Sequence, residues 1–182
     1  SGHQVCVISL FDVTEGNPYL KSRGQQEAAL RREGAEVVVI EYAMEALTGA
    51  RSHDPLAKFG RWIGRICSAP DGLAYLMPWV KLAEEVRRAL AGREFDGFLC
   101  YHFDALAAVH PLCLSPMLAV VGDLWHLPGY FRWREGSFSL SKYAVRGIRV
   151  ALESMIAERA MSTLLASTTS CGAFAGHYAE WL

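Results

Sequence analysis

A chain of 182 residues with a formal net charge of -1 is long enough for one domain with a sizeable core and lacks the basic excess of an electrostatic nucleic-acid binder. Its hydrophobic share of 52% and charged share of 20% exclude a disordered segment. Cys6, Cys67, Cys100, Cys113 and Cys171 are odd in number and contain no CxxC pair, so neither a disulfide framework nor a zinc site is expected, and the compartment reads as reducing.

Residues 1–3, Ser-Gly-His, read as a cloning remnant ahead of a single domain over residues 4–182. Residues 5–11 are apolar and partly β-branched and predict a first strand. The polar segment 12–24, with Gly16, Asn17 and Pro18, predicts a loop. Residues 25–33 set Ala28, Ala29 and Leu30 against Arg31, Arg32 and Glu33, an amphipathic helix stopped by Gly34. Residues 36–42 carry Val-Val-Val-Ile, a second strand, which completes a βαβ unit.

The pattern loosens over residues 43–71, with a helix expected at 55–67. Residues 79–91 predict a clearer helix ended by Gly92. A third strand is expected at 98–101 and a short helix at 104–113, with Asp104 as its N-cap. The apolar run 117–121 predicts a fourth strand, central and covered on both faces. The longest helix is expected at 141–160, a fifth strand at 162–166 and a last helical segment at 171–181, its start capped by residues 167–170. Repeated βα alternation gives an α/β fold, a doubly wound parallel sheet with helices on both faces. No apolar stretch approaches the ~20 residues that span a bilayer, and residues 5–11 are too short for a signal peptide. The expected location is the cytoplasm, or peripherally the inner face of the membrane.

Several chemistries lack their sequence signals. No Gly-x-Gly-x-x-Gly follows the first strand, and there is no phosphate-binding Gly-Lys-Ser/Thr, no Gly-x-Ser-x-Gly elbow, and no paired histidines with a glutamate. No metal and no cofactor are therefore expected. The polar residues that remain cluster at expected strand ends, where open α/β sheets bind ligands. They are Asp12, Thr14, Gly16, Asn17 and Arg23 after the first strand, His102 and Asp104 after the third, Asp123, Trp125 and His126 after the fourth, and Ser167, Thr168 and Thr169 after the fifth.

Four passages resemble the N-terminal half of a GT-B glycosyltransferase of the retaining family 4 type. They are the strand 5–11 with its polar loop and the helix-to-strand run 25–40, the strand Phe95-Asp96-Gly97-Phe98-Leu99-Cys100-Tyr101-His102, the turn Val121-Gly122-Asp123-Leu124-Trp125-His126-Leu127-Pro128-Gly129, and the run 158–167 beginning Glu158-Arg159-Ala160. Together they cover most of the chain. The resemblance implies a Rossmann-like acceptor-binding domain, with the nucleotide-sugar donor held by a C-terminal domain that this chain does not include. It implies catalytic roles for Asp123 and His126, and acceptor contacts from Gly16, Asn17, Arg23, His102 and Trp125. One departure matters: Gly122 stands where the family often has a sugar-holding histidine, leaving His126 or His102 to replace it. The fragment alone is expected to be inactive.

A stand-alone Rossmann-like binding or regulatory module without catalysis is the alternative, since the architecture hosts many functions. Expected partners are an acceptor (a sugar, a lipid-linked molecule or a small molecule) and the donor through the missing domain, with no nucleic acid. Phe59, Trp62, Ile63 and Ile66 fall on one helical face flanked by Lys58, Arg61 and Arg65. That face reads first as sheet packing and second as a weak peripheral membrane contact.

Overall fold

The structure, a computed structural model, describes residues 4–48, 60, 63, 73, 78–121 and 144–173, with the side chains of 48, 144–150, 153 and 173 excepted. Strand β1 (Cys6–Asp12) is followed by a 3-10 turn at Pro18–Lys21, helix α1 (Arg23–Arg32), strand β2 (Glu36–Tyr42) and the short helix α2 (Met44–Thr48). A 3-10 turn at Pro78–Leu82 runs into helix α3 (Ala83–Leu90), then strand β3 (Phe98–Tyr101), helix α4 (His102–Val109) and a 3-10 turn at His110–Leu112. Strand β4 (Met117–Val121), helix α5 (Ala144–Ala166) and strand β5 (Ser170–Ala173) complete the described elements. The chain is thus a mixed α/β protein with parallel strands.

The strands form two parallel sheets, β1-β2 and β3-β4-β5, and no pairing joins them among the described residues. In the first, Phe11 lies beside Glu41 and Asp12 beside Tyr42. Successive strand residues face opposite ways. The pair Phe11 and Glu41 therefore turns toward α1, where Arg23 meets both. Ile8, Leu10, Ile40 and Tyr42 turn the other way and pack with Leu82 and Val86 of the 3-10 turn and α3. Helix α1 ends in a Schellman motif: Gly34 N–H donates to Arg31 O and Ala35 N–H to Leu30 O, with Gly34 at φ 87 as the left-handed residue. The expected stop at Gly34 is present.

In the second sheet β4 lies between β3 and β5, the central position expected for it. One face is dry: Cys100, Met117, Ala119 and Val121 pack with Phe103, Leu106 and Ala107 of α4 and with Ala160, Met161 and Leu164 of α5. Coverage on both faces is not found among the described residues, because Leu99, Tyr101 and Leu118 on the opposite face are 65%, 53% and 42% exposed. Trp79 and Val109 pack against both cores and tie the two sheets together.

The fifth strand is displaced from its expected place. Residues 162–166 finish helix α5, and the strand follows at Ser170–Ala173. Ala157, Ala160, Met161 and Leu164 make an i, i+3, i+4, i+7 stripe that is almost wholly buried, so burial carries the helix through the apolar run. The expected cap at residues 167–170 is also corrected. Ser167 and Thr168 hydroxyls donate to Leu164 O and Leu165 O, closing the C-terminus of α5, and Ser170 opens the strand. Thr169 exchanges bonds with Met117, donating its N–H to Met117 O at 2.8 Å and accepting from Met117 N–H through Oγ1 at 3.0 Å.

Of the expected amphipathic face of α1, Leu30 is 38% exposed, and no residue of the helix is buried. Residues 122–143 and 174–182 lie outside the described residues, as does most of 49–77. Within that last stretch Gly60, Ile63 and Leu73 are helical, with Ile63 exposed and Leu73 in the second core.

Candidate functional site

The first strand ends in a hydrogen-bonded clasp. Asp12 Oδ1 accepts from Thr14 N–H at 2.9 Å, from Thr14 Oγ1 at 2.5 Å and from Met44 N–H at 3.3 Å. Thr14 Oγ1 also accepts from Met44 N–H at 3.0 Å, so the loop after β1 is fastened to the residue that opens α2. Burial pushes the Asp12 carboxyl up, but the bonds from the Thr14 hydroxyl, Thr14 N–H and Met44 N–H outweigh it and hold the carboxyl below the usual range.

Asn17 completes the loop. Its Nδ2 donates to Asp12 O at 2.5 Å, and its Oδ1 accepts from Tyr19 N–H at 3.0 Å, capping the 3-10 turn. Asn17 N–H donates to Thr14 O, closing a turn with Gly16 at its third position. Gly16 has φ 91 and open space where a Cβ would stand, so glycine is required there by the backbone, not by a close neighbour.

Arg23 lies on the other face of β1-β2. Its Nε donates to Glu27 Oε1 at 2.6 Å, its Nη1 pairs with Glu41, and its guanidinium sits 4.8 Å from the centroid of Phe11. The hydrogen bonds it donates to Glu27 and Glu41 raise its already high pKa further. The structure does not bring Arg23 together with Asp12, Asn17 and Tyr42.

At the end of β3, His102 is exposed and opens α4 with φ 70, a left-handed backbone that a residue with a Cβ adopts at a cost. The Tyr101 ring meets its imidazole edge-on at 4.3 Å. Asp104 is not the N-cap of this helix. The cap position is Tyr101, which makes no side-chain cap, and Asp104 lies in the first turn with Oδ1 accepting from Ala105 N–H at 2.9 Å. A carboxylate there is favoured by the helix dipole.

Two residues absent from the sequence expectations join these strand ends. Tyr42, the last residue of β2, is paired in register with Asp12, and its hydroxyl accepts from Trp79 Nε1 at 3.1 Å. Burial raises the Tyr42 pKa, the charges of Asp104 and Asp12 raise it further, and the Trp79 bond opposes them. Of the two carboxylates, Asp12 is the register partner of Tyr42. The available signal was positional: Tyr42 closes a strand that runs parallel to β1.

Asp123, Trp125 and His126 lie outside the described residues. Ser167, Thr168 and Thr169 are corrected: they precede β5 and sit beside the start of β4, at the edge opposite the strand ends. There Ser167 Oγ lies 3.2 Å from His110 Nδ1. Among the described residues no group of three or more His, Cys, Asp or Glu could hold a metal ion, and no helix is long and apolar enough to cross a membrane. The four described cysteines are free, and burial pushes the Cys100 thiol up to about 11, which leaves it protonated and unreactive at neutral pH.

No protein-family model, no curated protein and no solved structure matches this chain.

Proposed function

We propose that the chain is the acceptor-binding, Rossmann-like N-terminal domain of a retaining GT-B glycosyltransferase. The observation that carries the reading is that Asp12 and Tyr42 close two parallel strands side by side, with Trp79 bonded to the Tyr42 hydroxyl and His102 following β3, at the carboxyl ends where α/β sheets collect their ligands. Order and spacing of the four resembling passages support it, including the strand that ends in Tyr101-His102.

The roles of Asp12, Thr14, Asn17 and His102 follow from that placement, and those of Asp123, Trp125 and His126 from the resemblance. The clasp of Asp12, Thr14 and Asn17 keeps the loop after β1 rigid, so the edge beside it is preorganised. His102 presents an imidazole from a backbone position that the fold holds against its own preference. Asp123 or His126 orients the acceptor hydroxyl and exchanges its proton, and Trp125 covers an apolar face of the acceptor. The donor nucleotide sugar and its departing diphosphate belong to the C-terminal domain of such an enzyme, and closure between the two domains excludes water.

Turnover of the natural gene product that contains this chain, assayed against a panel of nucleotide sugars, tests the proposal. Asp123→Asn and His126→Ala each lower kcat by roughly 10²–10⁴-fold, the worth of a positioned acid–base group, with little loss of stability. The 182-residue chain alone shows no transfer and no micromolar affinity for any nucleotide sugar. Near-wild-type turnover in both variants, or tight donor binding by the isolated chain, rejects the assignment.

A further inference from the structure

We propose that Tyr19, on the 3-10 turn after β1, is a fixed aromatic platform for the apolar face of a pyranose ring in the acceptor. This rests on the acceptor-binding reading and deepens it by assigning a specificity-determining residue that the sequence did not single out.

The turn carries an exposed ring on a pinned backbone. Tyr19 is 63% exposed, Leu20 beside it is 40% exposed and Pro18 before it is exposed too, while the exposed Glu15 and Lys21 bound the patch with charge. No described residue bonds or stacks with the Tyr19 side chain. Its backbone is bonded on both sides. The N–H donates to Asn17 Oδ1 at 3.0 Å, and the carbonyl accepts from Ser22 N–H at 3.1 Å and from Ser22 Oγ at 3.2 Å. Asn17 in turn donates from Nδ2 to Asp12 O at 2.5 Å, so a single amide ties the turn to the last residue of β1, at the edge where α/β sheets collect ligands. A tyrosine mounted in this way gives up only side-chain rotamer freedom on binding, which is why rigidly held tyrosines make good contact residues.

The size of the patch chooses its occupant. A stable protein interface buries about 800 Å² on each partner over about 20–30 residues, far more than three residues of one turn supply. A peripheral membrane contact needs a broad apolar face with several cations, and this turn carries one, Lys21. A pyranose ring is close to a phenol in size and gathers its C–H bonds on one face, with hydroxyls around its rim. Asn17, bonded to the Tyr19 N–H, has a second Nδ2 hydrogen that no described residue accepts, a donor suited to such a hydroxyl. An alkyl chain would cover the ring and leave that donor unpaired, which is how polar sites reject apolar analogues.

The test uses the 182-residue chain with carbon-labelled tyrosine, the Tyr19 ring resonance being assigned by its disappearance in Tyr19→Ala. The methyl glycosides of glucose, galactose and mannose are titrated into wild-type, Tyr19→Ala, Tyr19→Phe and Asn17→Ala protein, with urea unfolding as the check that each variant is folded. At least one glycoside is expected to shift the wild-type Tyr19 resonance, and Tyr19→Ala is expected to bind it about threefold to tenfold more weakly, the worth of one aromatic contact. Tyr19→Phe keeps the ring face and is expected to stay within about twofold of wild type. Asn17→Ala leaves the ring but frees the turn, and weaker binding there supports the fixed mounting. Unchanged affinity in Tyr19→Ala overturns the platform. Should Asn17→Ala fail to fold, the two Tyr19 variants decide alone. A Tyr19 resonance that ignores all three glycosides but moves on protein dilution, or on addition of anionic vesicles, overturns the pyranose in favour of a second copy or a lipid surface. One that ignores every probe overturns the proposal outright. The transferase reading stands or falls separately on the turnover assay.

Discussion

The β1-α1-β2 unit and the β3-β4-β5 unit are both parallel and both joined by helices, yet they are held together differently. In the first, every residue of β1 is half-buried, α1 buries none of its residues, and Ile40 is the one buried residue of β2. The Arg23–Glu41 pair links α1 to β2 by charge, and Glu27 pairs with Arg23 and Arg31 within the helix. In the second, Leu106, Met117, Val121 and Leu164 are fully buried in one cluster. Burial of apolar area is worth far more than exposed ion pairs. The second unit is therefore held chiefly by apolar burial, and the first relies more on hydrogen bonds and charge.

The largest effect expected from breaking this asymmetry is in the second unit. Leu164→Ala removes a side chain with no exposed surface and is expected to cost about 2–5 kcal/mol, whereas Leu30→Ala on α1 is expected to change stability by less than about 0.5 kcal/mol. Chemical denaturation of the two variants measures the contrast directly, and comparable losses would refute the division.

A middle-sized effect is expected at the clasp, through pH. Asp12 has a folded-state pKa below its unfolded value, so its contribution is complete above the ordinary aspartate pKa. That contribution is lost as pH falls through the lower folded-state value. Asp12→Asn should therefore be less stable than wild type at neutral pH, with the gap closing in acid. Unfolding midpoints measured across the acid range give the answer; a gap that stays constant would place the clasp's worth in shape, not charge.

The smallest effect concerns α1. Glu41→Gln removes one partner of Arg23 at an exposed site and should lower the thermal midpoint only slightly, with the difference vanishing at high salt. A large, salt-insensitive loss would mean that α1 is anchored as firmly as α4.

Much of the strand pattern was legible in the residues. Runs such as Val37-Val38-Val39-Ile40 and Met117-Leu118-Ala119-Val120-Val121 combine β-branched residues with continuous apolarity and have few alternatives. The fifth strand was not legible, because Ser170-Cys171-Gly172-Ala173 carries almost no β signal. It is a strand because β4 offers it a free edge and Thr169 locks the entry with two bonds to Met117. The more strand-like Leu164-Leu165 is helical because it completes a buried stripe.

The site divides in the same way. Asp12 and Asn17 stood out as polar residues after a strand, and the bonds that join them and Thr14 are local, within residues 12–17. Tyr42 and Trp79 did not, since they lie 37 positions apart and acquire a shared role only when β2 and the turn before α3 are packed together.

Sequence alone determined the parallel α/β pattern, the turn at Gly16, the stop at Gly34 and the apolar strands, because each depends on backbone freedom or on periodicity within a few residues. Only the tertiary structure decided which helix face is dry, where the last strand pairs, that Arg23 faces away from Asp12, and that the Tyr42 phenol lies beside Asp12 and is bonded by Trp79. Those outcomes depend on which surfaces meet after distant segments fold together, and burial and charge at that distance are not encoded in any local pattern.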